Sequence, residues 1–487
     1  MTEPSTGPSP RALVLPLALA QFIASYAATN MNVAISTIAQ DIGTSVTGIQ
    51  TTITLFTLTM ASLMIAGSKL TDILGRKTCF LAGLVVYGAG ALLASLAQGL
   101  PLMIIGYSLL EGIGSALLIP PIYILITVAF TDVRQRAKYF GVVSGAAGLG
   151  AAAGPLIGGL ITSTISWRAS FILQVLVVVW IIVLARRIAA MPRTGPRPSF
   201  DVMGAVLSAA GMFFVVFGIL QSGTYGWLAS RADFVIGGTV VIPAGGISPV
   251  WLFVVLGALF LLWFCLHVRA REKAGGNPLI SLSLFRSRTS NLGLVTQNVQ
   301  WLTMQGSFFV ISVYLQQAWH YNAIQTGLML TPATIGILAS SAAAERFASR
   351  HPQRRMIRVG FLAMALGMLL LLALGPDTDS VLAYAPGLLL MGLGVGTMLT
   401  ASVNVVQSSF PEDEQDDISG LSRSVSNLGS SLGTALAGSV IVAASFPGGR
   451  PYAAALATLV VISLIGLAAA MFLPREQEAK QTRSTAA

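Results

Sequence analysis

Apolar runs of about twenty residues recur along this chain, each long enough to cross the ~30 Å hydrocarbon core of a bilayer as a helix. Fourteen such runs lie near 13–36, 46–67, 79–97, 102–125, 139–161, 169–188, 202–220, 248–267, 291–314, 326–348, 357–374, 382–403, 418–443 and 452–473. In lipid every backbone polar group must be satisfied internally, so runs of this kind specify an all-α membrane protein. The chain is 54% hydrophobic and 9% charged, against about 25% charged in an ordinary soluble domain, which excludes a large soluble enzyme. The first run follows Arg11, and Ser25, Thr29 and Asn30 within it do not resemble a cleavage site. It is read as a retained first span rather than a signal peptide.

The basic residues give an orientation. With the N-terminus, every loop from an even to an odd span and the C-terminal tail on the cytoplasmic side, 25 of the 28 Lys and Arg face the cytoplasm. Only Arg168, Arg231 and Arg450 fall outside. One helix missed or invented would scramble that alternation. The net charge of +10 therefore holds topology, and no nucleic-acid partner is implied. Cys79 and Cys265 lie in different apolar runs, and three scattered histidines make no metal centre, so neither cofactor nor metal is expected.

Two stretches repeat. "LLEGIGSA" (109–116) matches "LLMGLGVG" (389–396), and "GVVSGAAGLGAAAGPLIGG" (141–159) matches "GLSRSVSNLGSSLGTALAG" (420–438), at offsets of 280 and 279. Spans four and five thus return as twelve and thirteen. That pattern predicts a six-helix half over 1–190, two inserted helices with their linker over 191–275, and a second half with a cytoplasmic tail over 276–487. Parallel halves with a site near the midplane between them are a transporter architecture. The Gly-rich 233–248 is too short to span and suits a small external hairpin.

Two motifs carry mechanism. "GSKLTDILGRKT" (67–78) follows span two: Gly75 permits a sharp turn, and Asp72, Arg76 and Lys77 can contact neighbouring helix ends and hold that face closed. In span five Gly150, Gly154 and Gly158 form a smooth groove for another helix, and Pro155 frees a carbonyl. With these residues the chain resembles the major facilitator superfamily. Leu70, Asp72, Gly75, Arg76 and Lys77 match its loop pattern G-x-L-x-D-R-x-G-R-K, and Ser68 and Ile73 depart from it. Gly150, Gly154, Pro155, Gly158 and Gly159 match the antiporter motif of its exporters, G-x-x-x-G-P-x-x-G-G. "NVAIS" (32–36), "RQRAKYFG" (134–141), "SWRASFIL" (166–173) and "FDVMGAVL" (200–207) are similar to the fourteen-helix drug:proton antiporter branch. "YLQQ" (314–317) and "QTGLMLTP" (325–332) are similar to it as well.

That branch often carries an acid in span one, where this chain has Ala27. It also carries an arginine in span four, where this chain has Ser108; Glu111 stands at the glutamine of the same pattern. Glu111 lies ten residues into span four, about 15 Å deep and so near the midplane. A carboxylate there costs a few kcal/mol or more unless it is neutral or paired. The repeat has Met391 at that place, so the fold does not demand an acid. Glu111 is expected to face the central cavity and exchange a proton or pair with a cationic substrate; the plain alternative is a neutral glutamate bonded between helices. Asn30, Asn32, Tyr107, Gln297, Asn298, Trp301, Gln305 and Asn427 are candidate cavity side chains, and "PEDEQDD" (411–417) reads as a solvated connection.

The resemblance implies a monomeric exporter of amphipathic organic compounds in the plasma membrane (the bacterial inner membrane). It would work by proton antiport with alternating access. The competing expectation is a transporter for a specific metabolite, peptide or lipid, without proton coupling. A receptor or enzyme would show a sensing domain or a catalytic cluster, and the sequence has neither.

Overall fold

The computed structural model describes residues 10–130, 133–186, 188, 199–236, 239–348, 351–374, 381–410, 414–444 and 451–474. The helices follow the apolar runs. The first three are α1 (Pro10–Asp41), α2 (Val46–Leu74) and α3 (Arg76–Ser95). Span four, α4, is one continuous helix of changing pitch: Leu100–Met103, a π-helical stretch Ile104–Glu111, then Gly112–Ala129. Next come α5 (Val133–Thr164), α6 (Trp167–Ala185) and α7 (Val202–Tyr225). The hairpin expected over 233–248 is present as antiparallel β1 (Phe234–Ile236) and β2 (Thr239–Ile242).

After it stand α8 (Pro249–Lys273) and α9 (Arg288–Gln317). Span ten, α10, is broken at Leu330 into Ala323–Met329 and Thr331–Ala348, bent by 44°. Pro332 at that break has no N–H to offer the carbonyl of Leu328. The chain continues through α11 (Gln353–Leu374), α12 (Val381–Gln407), α13 (Gln415–Ala443) and α14 (Pro451–Met471).

Among the described residues twelve helices are long and apolar enough to cross a membrane, and the bent α10 gives a thirteenth. The remaining expected span, 291–314, is α9, with 30 residues. It has the length, but Gln297, Asn298, Gln300, Gln305 and Gln316 dilute its hydropathy. The expected fourteen is therefore matched by length, and not in every case by composition.

Helix packing repeats as the sequence does. α1 packs on α5 as α9 packs on α13, α3 on α4 as α11 on α12, and α2 on α4 as α10 on α12. The two sets meet along α2–α13, α5–α10 and α1–α9. The extra pair α7–α8 leans by α7 on both α2 and α13. At the foot of α7, Asp201 caps the helix by accepting from the Gly204 N–H at 3.0 Å. It also takes a hydrogen bond from the Leu279 N–H at 3.2 Å and lies 2.9 Å from His267 on α8. One carboxylate thus ties together α7, α8 and the segment leading to α9.

Candidate translocation site

Glu111 is the last residue of the π-helical stretch and is fully buried. α3 and α4 are in backbone contact there: a Cβ at Gly90 would stand 2.6 Å from the Glu111 nitrogen and 2.7 Å from the Gly106 carbonyl. One turn before, Tyr107 stacks on Phe56 of α2 with centroids 4.6 Å apart and donates to the Ala27 carbonyl of α1 at 3.2 Å. Ser108 donates to the Thr52 carbonyl at 2.8 Å. Beside the acid stands Tyr87 of α3, whose hydroxyl donates to Gln174 Oε1 on α6 at 2.5 Å. Neither Glu111 oxygen makes a hydrogen bond of ordinary geometry among the described residues.

The carboxyl is thus enclosed by the first six helices. Ionised and unpartnered in that interior, it would cost several kcal/mol, a cost that protonation removes. Gln174 Nε2 and Asn30 Oδ1, in the same interior, are also without a hydrogen-bond partner among the described residues. The neighbouring Asn30 amide donates to Ser170 Oγ at 2.9 Å, and Ser170 meets the Tyr26 hydroxyl at 2.5 Å.

The span-five glycines pack closely. A Cβ at Gly150 would collide with the Phe22 carbonyl, one at Gly154 with Thr29 Oγ1, and one at Gly158 with Asn30 Oδ1, all on α1. The opposite face of α5 meets α10: Gly159 lies against Ala323, and the Pro155 carbonyl lies where a Cβ of Gly327 would be. Further along that face, toward the end of the bundle bearing Gly75, a Cβ at Gly141, Gly145 or Gly148 would meet nothing within 4 Å among the described residues.

Cross-seam hydrogen bonds show which end is shut. At the end away from Gly75, Gln316 donates to the Asn32 carbonyl at 2.9 Å and accepts from the Ser36 N–H at 3.0 Å. The Ile324 N–H donates to Ser163 Oγ at 2.9 Å, and Gln50 donates to the Thr434 carbonyl at 3.0 Å. Midway, Gln305 donates to the Ala28 carbonyl at 3.2 Å and Ser431 to the Thr54 carbonyl at 3.0 Å. At the Gly75 end the seam is held along α2–α13 by Lys69–Asp417 and by Ser424 donating to the Ala61 carbonyl. None of these bonds joins α5 to α10 at that end, where a Cβ on the Gly141, Gly145 and Gly148 face of α5 would meet nothing within 4 Å among the described residues.

Of the other candidates, Gln297 bonds Ser422 and Ser426, and Asn298 donates to the Val425 carbonyl, so both join α9 to α13. Trp301 and Asn427 are half-buried. Gly75 has φ +98°, and Lys77 donates to the carbonyls of Arg186 and Ile188, at the end of α6. That contact stays within the first six helices. The side chain of Asp72 lies outside the described residues. Sequence reading gives Arg423 as a cation able to snorkel or pair near the cytoplasmic end, without its partner Tyr123, and does not find Lys69–Asp417. The signal was there in Arg423, a lone cation inside an apolar run.

This architecture is that of a membrane transporter built from two repeated helical sets. The model of the Major Facilitator Superfamily matches residues 17–248, 201–434 and 293–487, and the chain belongs to that family. The chain is 29% identical to the probable actinorhodin transporter of Streptomyces coelicolor, over 85% of this chain and 69% of that one. It is also 29% identical to the puromycin resistance protein pur8 of Streptomyces alboniger, over 90% and 84%. To the multidrug transporter protein MdtP of Bacillus subtilis it is 26% identical, over 89% and 75%. The crystal structure of the human organic anion transporter MFSD10 (TETRAN) shares the fold, with a TM-score of 0.59 at 16% identity, covering 95% of this chain and all of that one.

Proposed function

We propose that this protein is a fourteen-helix exporter of drug-like amphipathic compounds, driven by proton antiport, with both termini in the cytoplasm of a bacterial cell. Export of drug-like compounds follows from the family and from relatives named for antibiotic and multidrug transport. The orientation rests on the basic residues, which make the Gly75 end cytoplasmic. The arrangement of the seam is then an inward-facing one, shut toward the outside and parted between α5 and α10 toward the cytoplasm. The span-five motif, with Gly150, Gly154 and Gly158 against α1 and Pro155 and Gly159 against α10, supports an antiporter.

One observation carries proton coupling: Glu111 is fully buried, with no ordinary hydrogen bond and no cation against it among the described residues. In this state it is carried as the neutral acid. The proton is taken up when the protein opens outward and released to the cytoplasm from this inward-facing state as substrate loads, so one proton moves inward as one substrate moves out. Its enclosure favours the proton over a cationic substrate as its partner.

The test is transport in proteoliposomes with an imposed pH gradient, wild type beside Glu111→Gln. The wild type should drive a drug-like dye uphill with the gradient. Glu111→Gln should lose uphill movement while keeping downhill exchange. Unchanged uphill transport in the variant would remove Glu111 from the coupling, and a wild type indifferent to the gradient would favour a facilitator. Ala27, in place of the acid usual in span one, is what keeps that second reading in view.

A further inference from the structure

Arg423 is a guanidinium two turns into α13, half-buried, with no carboxylate within ion-pair distance among the described residues. Its direction is fixed by its neighbours. Ser422 donates to Gln297 of α9 at 2.9 Å, and Ser424 donates to the Ala61 carbonyl of α2 at 2.5 Å. Successive helical residues are turned by about 100°, so Arg423 projects between α9 and α2 toward α4 and α1. It reaches Tyr123 of α4: the guanidinium carbon is 4.7 Å from the ring centroid, and Nη2 donates to the hydroxyl. The Tyr123 hydroxyl in turn lies 3.4 Å from Gln21 Oε1 on α1. Asn427, one turn deeper on the same face, is half-buried, with no hydrogen bond from its side chain among the described residues.

Lys69 at this mouth is neutralised by Asp417 at 2.6 Å. Among the described residues Arg423 therefore supplies an uncompensated charge where α13 faces α4. A planar guanidinium presents five N–H donors in a fork that matches a carboxylate or phosphate, and one phenol occupies only part of it.

We propose that Arg423 receives the acidic group of the transported compound, so that the export path selects amphipathic anions. The substrate's carboxylate, sulfonate or phosphate takes the place of the Tyr123 hydroxyl, and Asn427 donates to it from one turn deeper. Displacing Tyr123 also releases a direct contact between α4 and α13, so loading the substrate loosens a contact across the cytoplasmic mouth. Glu111, walled off by Tyr87 and Tyr107, is kept for the proton. This inference rests on the export reading above.

Two dyes sharing one ring system test it: fluorescein, an anion, and rhodamine 123, a cation. They are offered to proteoliposomes containing wild type, Arg423→Gln or Arg423→Lys, each shown to be folded by thermal stability. Wild type should move fluorescein in preference. Arg423→Gln should cut fluorescein transport about tenfold or more through KM, the scale of a lost charge-assisted hydrogen bond. Rhodamine 123 should change less than about twofold, well under that loss. Arg423→Lys should recover part of the fluorescein rate.

A short-chain fluorescent phosphatidic acid, run in parallel, distinguishes a lipid phosphate from a drug-like carboxylate as the natural cargo. Equal losses for both dyes in Arg423→Gln would make Arg423 a gate residue only and overturn the proposal, as would a wild type that prefers rhodamine 123. A wild type that moves none of the probes would bring down the export reading itself.

Discussion

Lys69 Nζ on α2 lies 2.6 Å from Asp417 Oδ1 on α13, which joins the two helical sets at the end of the bundle bearing Gly75. Both side chains are 25% exposed, so the pair is neither fully screened nor fully desolvated. Next to it α2 and α13 run in contact along their whole length, from Gln50–Thr434 at one end to Ser424–Ala61 at the other. The α2–α13 side of the seam is therefore joined at both ends and midway.

Lys69→Ala and Asp417→Ala should each lower thermal stability modestly, and the double mutant should lose less than their sum. A coupling energy of about 0.5–1 kcal/mol is expected for a pair with this exposure. Strict additivity in a double-mutant cycle would show that the pair contributes nothing across the seam.

The Asp201 clamp should set an acid limit on stability. Burial pushes its carboxyl up, but the Gly204 N–H, His267 and the Leu279 N–H favour the charged form and bring it below the usual carboxylate range. A group depressed in the folded state stabilises fully above its unfolded value and loses that contribution as pH falls through the folded one. Thermal stability should therefore hold from neutral pH to about pH 5 and fall only below the ordinary carboxylate range. Asp201→Asn keeps an N-cap acceptor but loses the charge facing His267 and Arg271, so it should lower stability by about 1 kcal/mol at neutral pH and flatten that acid decline. An acid profile identical in the variant would take Asp201 out of the account.

At the turn between α2 and α3, Gly75 has φ +98°, which a side chain adopts only under strain. Gly75→Ala should cost about 1–2 kcal/mol in melting experiments. Lys77→Met should cost less, because its two carbonyl partners at the end of α6 are partly reached by water. Since Lys77 ties helices of one set, its loss should reduce stability without changing the direction or driving force of transport. A variant with normal stability and altered coupling would return Lys77 to a gating role.

How far the sequence could be read depended on the range of the interaction involved. Hydropathy and the alternation of basic loops are local signals, and they located the helices to within a few residues, along with the hairpin near Phe234. α9 shows their limit: its glutamines face partners on α13 and α1, so tertiary contacts and not lipid decide its composition. The enclosure of Glu111 could not be read, because it depends on a π-helical stretch and on Gly90 letting α3 reach the α4 backbone. Spacing along span four says how many turns in Glu111 lies; it does not say which way the carboxyl turns. Asp417 was read as part of a solvated loop because its partner, Lys69, is distant in sequence.

The two glycine faces of α5 should respond differently to an added methyl group. Gly150 meets the Phe22 carbonyl on α1, a backbone atom that cannot step aside, so Gly150→Ala should destabilise by about 1–3 kcal/mol and reduce transport with it. Gly145 faces open space on the side of α5 that, nearer its other end, is pressed against α10 through Pro155 and Gly159. Gly145→Ala should leave thermal stability unchanged or raise it slightly, since alanine is the better helix former by about 1 kcal/mol. Gly145→Leu should fold as well, yet slow transport severalfold if the lower half of α10 closes onto this face during the cycle. Crosslinking cysteines at 145 and on the facing turn of α10 would report that closure, forming only when an inward proton gradient or substrate is supplied. Full transport by Gly145→Leu, with no crosslink under any condition, would show that α5 and α10 stay parted and that the seam closes elsewhere.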